Sequence, residues 1–409
     1  MLKINAERLW QSLMDMAQVG STAKGGVRRL ALTAEDAAGR ALFETWCRDA
    51  GLSLSVDRVG NLFARRAGRR PDAAPVASGS HLDTQPEGGR FDGVYGVLAA
   101  LEVVRTLNDA GIDTERPIEI VVWTNEEGAR FTPAMLGSAA FTGVMPLAAA
   151  LASRDATGES VGDALRSSGY AGERAIPGDV FDAYFEAHIE QGPVLEEAGI
   201  PIGVVTGGQA IRWLDVRVAG QAAHAGTTPM QYRKDALFAA ADMAAELEAI
   251  AAEFFPQGLT TIGEWQIRNA SRNTIAGEVA FTVDLRHPDD AAIAEMEAAV
   301  RTRFGTVAAR RGVTVEIGQH WVSPATPFDP ACVDAVQHAV DALDYPNRRI
   351  ISGAGHDAIH LAKHCPTAMV FIPCVGGLSH NEAEDALPAD VARGADVLLH
   401  AMLTRAGRA

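Results

Sequence analysis

The chain has 409 residues, 47% of them hydrophobic and 22% charged, enough for more than one cored domain and ordinary for a soluble protein. Acidic residues outnumber basic ones by 52 to 36, for a formal charge of −16, which argues against a nucleic-acid partner and against an anionic membrane surface. The same balance means that a carboxylate-bearing small molecule would need a local cation to hold it.

In chain order, Leu9, Leu13 and Met16 recur at helical spacing, and Lys3, Glu7, Arg8 and Asp15 interrupt any apolar run. The start therefore reads as an amphipathic helix and not a signal peptide. No apolar stretch approaches the roughly 20 residues of a membrane span. A strand pattern over 75–80 leads into His81-Leu82-Asp83, followed by a Gly-lined turn carrying Asp92 and a helical pattern over 94–110. A second strand pattern, 118–124, leads into Asn125-Glu126-Glu127-Gly128, and a third, 367–372, leads toward Ser379-His380. Between these, a different block reads strand 213–218, helix 235–254, strand 279–285, helix 291–304 and strand 313–317. Gly207-Gly208 and the region from Pro324 to Pro327 are candidate hinges around it.

The expected fold is α/β. A mixed, largely parallel sheet flanked by helices is expected over 1–209 and 324–409, with a smaller α+β domain inserted over 210–323. Cys47, Cys332, Cys365 and Cys374 form no CxxC pair and read as reduced, mostly buried thiols of a cytoplasmic protein.

The three polar clusters fall where a parallel sheet gathers its chemistry, beyond the carboxyl ends of strands. A metal-bound imidazole usually hands its second N–H to a carboxylate, so His81-x-Asp83 offers a ligand and its supporting partner. Asp92 sits where one carboxylate could bridge two metals. Glu126-Glu127 suggests one ligand and one general base, since adjacent side chains do not easily face the same ion. His188 and His380 complete a set of imidazoles and carboxylates suited to zinc or manganese. Each piece alone is more often structural or solvated, and it is the conjunction that points to a metal centre. No HExxH, G-x-S-x-G, Walker loop or strand-linked G-x-G-x-x-G is present.

The strings GSHLDTQ (79–85), FDGVYGV (91–97), NEEG (125–128), HIEQG (188–192), AHAGTTP (223–229), GAGHD (353–357) and LSHN (378–381) resemble the hydantoinase/carbamoylase-type amidases. These are a branch of the zinc aminoacylase and carboxypeptidase superfamily containing N-carbamoyl-L-amino-acid hydrolases, β-alanine synthases and allantoate amidohydrolases. The resemblance runs over nearly the whole chain in the family's order. It implies two divalent ions per subunit, zinc with manganese, cobalt or nickel as alternatives. One would be held by His81, Asp92 and His188, the other by Asp92, Glu127 and His380. It further implies Glu126 as general base, with Asp83 and His224 supporting catalysis. Substrate contacts fall on Gln191, His224, Asn273, Arg286 and His356, with the Arg286 guanidinium as the cation for a small-molecule carboxylate. The inserted domain becomes a lid and the surface of a homodimer that exchanges His224. The implied reaction is hydrolysis of N-carbamoyl amino acids, α or β, to amino acid, carbon dioxide and ammonia. The string from His81 to Pro86 leans to the β-alanine synthase side. The alternatives are hydrolysis of allantoate or another ureido acid and, from a different class, a metal-free binding protein that kept the fold. The remaining histidines, His287, His320, His338, His360, His364 and His400, read as structural or exposed.

Overall fold

The computed structural model describes residues 1–408. The chain divides into two compact units, Met1–Gly207 with Pro327–Ala409, and Gly208–Thr326.

The first unit is built on a nine-stranded sheet. Its centre is four mutually parallel strands in the order Ile118–Trp123, Val76–His81, Ala183–Ile189, Thr367–Ile372. All four are buried along their whole length, as a parallel sheet covered on both faces requires. Ser53–Val56 and Leu62–Arg66 add an antiparallel hairpin at one side, and Ile202–Gly208 runs antiparallel to Thr367–Ile372 at the other. The sheet is thus parallel at its centre and antiparallel toward its edges. Helices Val94–Asp109 and Pro388–Ala406 pack on the central strands and on each other. Pro330–Leu343 shows how sequence sets such a helix. Asp329 caps it by accepting from Cys332 N at 2.9 Å, Pro330 opens its first turn, and Cys332, Val333, Val336, Ala339 and Val340 form the buried stripe.

The second unit holds a five-stranded sheet, with Glu278–His287 and Ala210–Ala219 antiparallel at its centre. Leu214, Val216 and Val218 alternate with exposed residues, as do Val279, Phe281, Val283 and Leu285 with half-buried ones. These two apolar faces form one core with helices Ala236–Glu253 and Asp290–Arg311. Three elements run longer than the sequence pattern suggested. The second helix passes through Gly305 and ends at Gly312, which takes the left-handed conformation of a C-terminal cap. The last strand is Thr314–Ser323, and a bulge between Gln319 and Trp321 hides its alternation from the sequence. The strand read as 279–285 continues to His287, so Arg286 lies within it and not beyond its end. Among the described residues no helix is long and apolar enough to cross a membrane.

Two arginines are fully buried in the first unit. Arg40 reaches Asp36 at 2.9 Å, Gly60 O at 2.7 Å and Thr124 Oγ1 at 3.3 Å. Arg29 reaches Leu82 O at 3.0 Å and Val19 O at 2.9 Å. Each tethers the residue just before a chemical cluster, Thr124 before Asn125 and Leu82 before Asp83. Removing one partner of a buried ion pair strands the other charge. Asp36→Ala should therefore lower stability by about 3–5 kcal/mol, read as a clear fall in the urea unfolding midpoint. An unchanged midpoint would show that Arg40 is held by its carbonyl and hydroxyl partners alone.

Candidate metal centre and active site

Because the four central strands are parallel, their carboxyl ends open on the same side, and the chemistry-bearing residues meet there. His81 ends its strand, and His188 is the last residue but one of Ala183–Ile189. Asp92 follows in the turn before helix Val94–Asp109. That turn needs Gly93, whose φ is +68° and where an added Cβ would stand 2.4 Å from the His81 ring. Asn125, Gln191 and His380 each take a positive φ, of 55°, 59° and 53°. Asn125 stabilises its own turn by donating from Nδ2 to Phe131 O at 2.7 Å and accepting from Phe131 N at 3.2 Å.

Asp92 is the centre of the arrangement. Its Oδ1 lies 3.6 Å from His81 Nε2 and 3.2 Å from His188 Nε2. Its Oδ2 lies 3.4 Å from His380 Nε2, which is 3.4 Å from Glu127 Oε2. Two ligand groups therefore form, His81-Asp92-His188 and Asp92-Glu127-His380, each with its nitrogen and oxygen atoms converging. Two atoms bound to one zinc at about 2.0–2.1 Å in tetrahedral geometry stand about 3.3 Å apart, so both groups have the spacing a divalent ion needs. A third convergence, Glu186 with His188 and His356, is of another kind. Glu186 is already engaged by Ser80 Oγ at 2.7 Å, Ala358 N at 3.1 Å and Tyr184 OH at 3.2 Å.

The electrostatics favour cations here. Burial, then Asp357, Glu127, Asp83 and Asp92, raises the Glu126 carboxyl well above the usual range. Burial, then Asp92 and Asp83, does the same to Glu127. Burial holds His81 down at about 4, leaving a neutral imidazole able to ligate. The adjacent glutamates diverge: Glu126 Oε2 lies 3.5 Å from His81 Nε2, whereas Glu127 faces His380 and takes Gln85 Nε2 at 2.7 Å.

Asp83 does something other than the sequence suggested. His81 Nδ1 meets the backbone carbonyl of Asp83 at 2.8 Å, while the nearer carboxylate oxygen is 4.0 Å away. The carboxylate instead accepts from the backbone N–H groups of Glu126 and Glu127, both at 3.3 Å, and burial with nearby Asp36 pushes its pKa up to about 7. A carbonyl two residues on can fix an imidazole as well as a carboxylate can, which frees Asp83 to brace the opposite loop.

Among the residues expected to meet substrate, Gln191 donates from Nε2 to Asp92 Oδ2 at 2.9 Å, and its buried Oε1 lacks a protein partner. His356 is buried 4.5 Å from the His188 ring with Nε2 unpartnered, and burial, with His188 beside it, holds it far below the ordinary imidazole range. His224, Asn273 and Arg286 belong to the second unit. His224 pairs with Thr274 across a two-stranded ribbon, and Ala225 N donates to Asn273 O at 2.9 Å, so His224 and Asn273 are brought together and exposed. Arg286 lies on another strand, and its guanidinium engages Asp284 at 2.8 Å.

Sequence reasoning missed Glu384 and Asp357, both fully buried beside the site. Glu384, pushed up to about 7 by burial and by Asp92, accepts from Phe91 N at 2.9 Å and Asp92 N at 3.0 Å. In the run Asn381-Glu382-Ala383-Glu384-Asp385 it looks like solvated surface charge, and only the Gly88-Gly89 pair opposite hints that something must fit there.

The profile of Peptidase family M20/M25/M40 matches residues 77–404. The chain is 48% identical over 406 residues to an N-carbamoyl-L-amino-acid amidohydrolase of Rhizobium meliloti, covering 99% of this chain and 97% of that one. It is 32% identical over 411 residues to a ureidoglycolate hydrolase of Arabidopsis thaliana, covering 97% and 86%. The crystal structure of a hydantoinase/carbamoylase family amidase from Burkholderia ambifaria superposes with a TM-score of 0.95 at 67% identity, covering 100% of this chain and 99% of that one. The chain belongs to the M20/M25/M40 family, in its hydantoinase/carbamoylase branch. It is a hydrolase that cleaves amide bonds.

Asp83 yields a prediction specific to this geometry. Asp83→Asn keeps one acceptor oxygen but turns an NH2 toward a backbone N–H, loosening Glu126 and Glu127 together. The amidohydrolase activity should fall about 10–100-fold, the usual effect of altering a group that orients ligands, with circular dichroism unchanged. Full activity in this variant would show that the loop holds without Asp83.

Proposed function

We propose that the protein is a two-metal hydrolase of N-carbamoyl-L-amino acids, releasing the amino acid, carbon dioxide and ammonia. The observation that carries the reading is Asp92, which gives one oxygen to each ligand group while Glu126 stands beside His81. Two relatives named N-carbamoyl-L-amino-acid amidohydrolase, at 48% and 41% identity, support the substrate class.

When bound, two divalent ions, zinc in this reading, lower the pKa of a water and polarise the scissile carbonyl. His81, Asp92 and His188 would hold one ion, and Asp92, Glu127 and His380 the other. Glu126 takes the proton of the attacking water and returns it to the amino nitrogen as the carbamoyl C–N bond breaks. A carboxyl whose proton affinity is raised by burial and by Asp357 suits both halves of that transfer. His224 steadies the charge that develops on the carbonyl oxygen. Gln191 and His356 bring unmet hydrogen-bonding atoms to the urea-like end. Asn273 and Arg286 bind the substrate carboxylate, Asp284 fixing the guanidinium in place meanwhile. The second unit would act as a lid and as the interface of a homodimer in which His224 serves the neighbouring site. Hydrolysis of ureidoglycolate or allantoate is the second reading, supported by the relatives named ureidoglycolate hydrolase.

Chelator-stripped protein should be inactive and regain activity with zinc, manganese, cobalt or nickel. In an ammonia-release panel, N-carbamoyl-L-amino acids should give a higher kcat/KM than their D-isomers, N-carbamoyl-β-alanine, allantoate or ureidoglycolate. Activity without metal would refute the mechanism, and a preference for either ureide would replace the substrate.

The two glutamates separate ligand from base. Glu126→Gln should keep its metal and lose about 10²-fold or more in kcat, the scale of a missing general base. Glu127→Gln should lose metal, measured by elemental analysis after dialysis. The reverse pattern would exchange the two roles.

A further inference from the structure

The two ligand groups are not held equally. His81 and His188 are buried, and each ring is fixed through Nδ1 by a backbone carbonyl, that of Asp83 at 2.8 Å and that of Ile189 at 2.9 Å. The side chain of His380 is 52% exposed, on a backbone with φ of +53°. Apart from the facing carboxylates, its ring meets Gln191 Nε2 only at a long 3.5 Å. A ligand this loosely oriented needs its whole loop set against Asp92, which lies far away in sequence.

Glu384 and Ser379 make that connection. Glu384 is 1% exposed. Its Oε1 accepts the N–H groups of Phe91 at 2.9 Å and Asp92 at 3.0 Å, fixing the turn that aims Asp92. Its Oε2 accepts the hydroxyl of Ser379, the residue before His380, at 3.0 Å. Ser379 Oγ also lies 3.2 Å from Asp92 Oδ2, the oxygen facing His380. Space for this carboxylate is made by Gly89, where an added Cβ would stand 2.1 Å from Glu384 Cδ. Backbone N–H donors on a buried carboxylate give short, charge-assisted bonds that set geometry firmly. One side chain thereby ties the turn of the shared ligand to the loop of the exposed one.

We infer that Glu384, acting through Ser379, is a positioning residue that keeps Asp92, Glu127 and His380 in register, and that the ion held there is the one the protein loses first. The inference rests on the two-ion reading above, and calorimetric titration of the chelator-stripped, full-length protein with zinc or cobalt tests both. The wild type should take up two ions, and Glu127→Ala identifies which step belongs to the group with His380. In Glu384→Ala and in Ser379→Ala that step should weaken about 10–100-fold, as for other groups that orient ligands, while the other step, whose two histidines are fixed independently, weakens clearly less. Raising the metal concentration should restore kcat to Glu384→Ala without altering KM. Should Glu384→Ala fail to fold, Ser379→Ala, which removes only a partly exposed hydroxyl, carries the test. Equal weakening of both steps, or of neither, would overturn the inference alone. A wild type that binds fewer than two ions would overturn the two-ion reading with it.

Discussion

Gathering carboxylates out of water at the end of one sheet is unfavourable unless positive charge opposes them, and the first unit is organised by that constraint. Asp83, Asp92, Glu126, Glu186, Asp357 and Glu384 are all buried. Backbone N–H groups answer for Asp83 and Glu384, and hydroxyls and an N–H for Glu186. Arg29 and Arg40 lie behind the site as fixed charges, Arg40 paired with Asp36. Asp92 is met in part by Gln191 and Ser379 and Glu127 by Gln85, whereas both oxygens of Asp357 lack a hydrogen-bond partner. Asp92, Glu127 and His380 converge at the same place, as do Asp92, His81 and His188.

Topology makes this concentration affordable to assemble. Parallel strands deliver their carboxyl ends to the same side, so His81, Glu126, His188 and His380 meet although long helices and a whole second unit separate them in the chain. The antiparallel sheet of the second unit works differently. Its alternation sends one face to two helices and leaves Asp284 and Arg286 on the other, which is a way to display a cation on a rigid strand and not in a loop.

Much of the site was legible because its residues sit where runs of apolar residues stop. A His or Glu beside one strand end is readily satisfied by water or backbone, and it is their conjunction in the ordered strings around 79–97 and 125–128 that carries the signal. The central strands were legible for the same reason. What was hidden has a common physical cause, namely long-range satisfaction of buried charge. Arg40 lies in an Ala-rich helix and looks like surface charge until Gly60 and Thr124 are seen around it. Glu384 hides in an acidic run for the same reason. The role of Asp83 was misread because sequence shows which groups are adjacent, not whether a carbonyl or a carboxylate turns inward. Beyond Ile317 the bulge breaks the two-residue period, and an exposed strand has no apolar face to advertise it.

Asn125, Gln191 and His380 share a left-handed backbone that side chains with a Cβ enter at an energetic disadvantage of about 1–3 kcal/mol. A glycine at any of them would relieve that disadvantage, and each is a position where the side chain is used: to brace a turn, to touch the shared carboxylate, or to complete a ligand group. Efforts to make this enzyme more heat-resistant would therefore find their most obvious backbone improvements at positions that brace or face the two ligand groups. Durability would have to come from elsewhere in the chain, from positive-φ residues such as Asn269 and Asp344, which lie in neither ligand group.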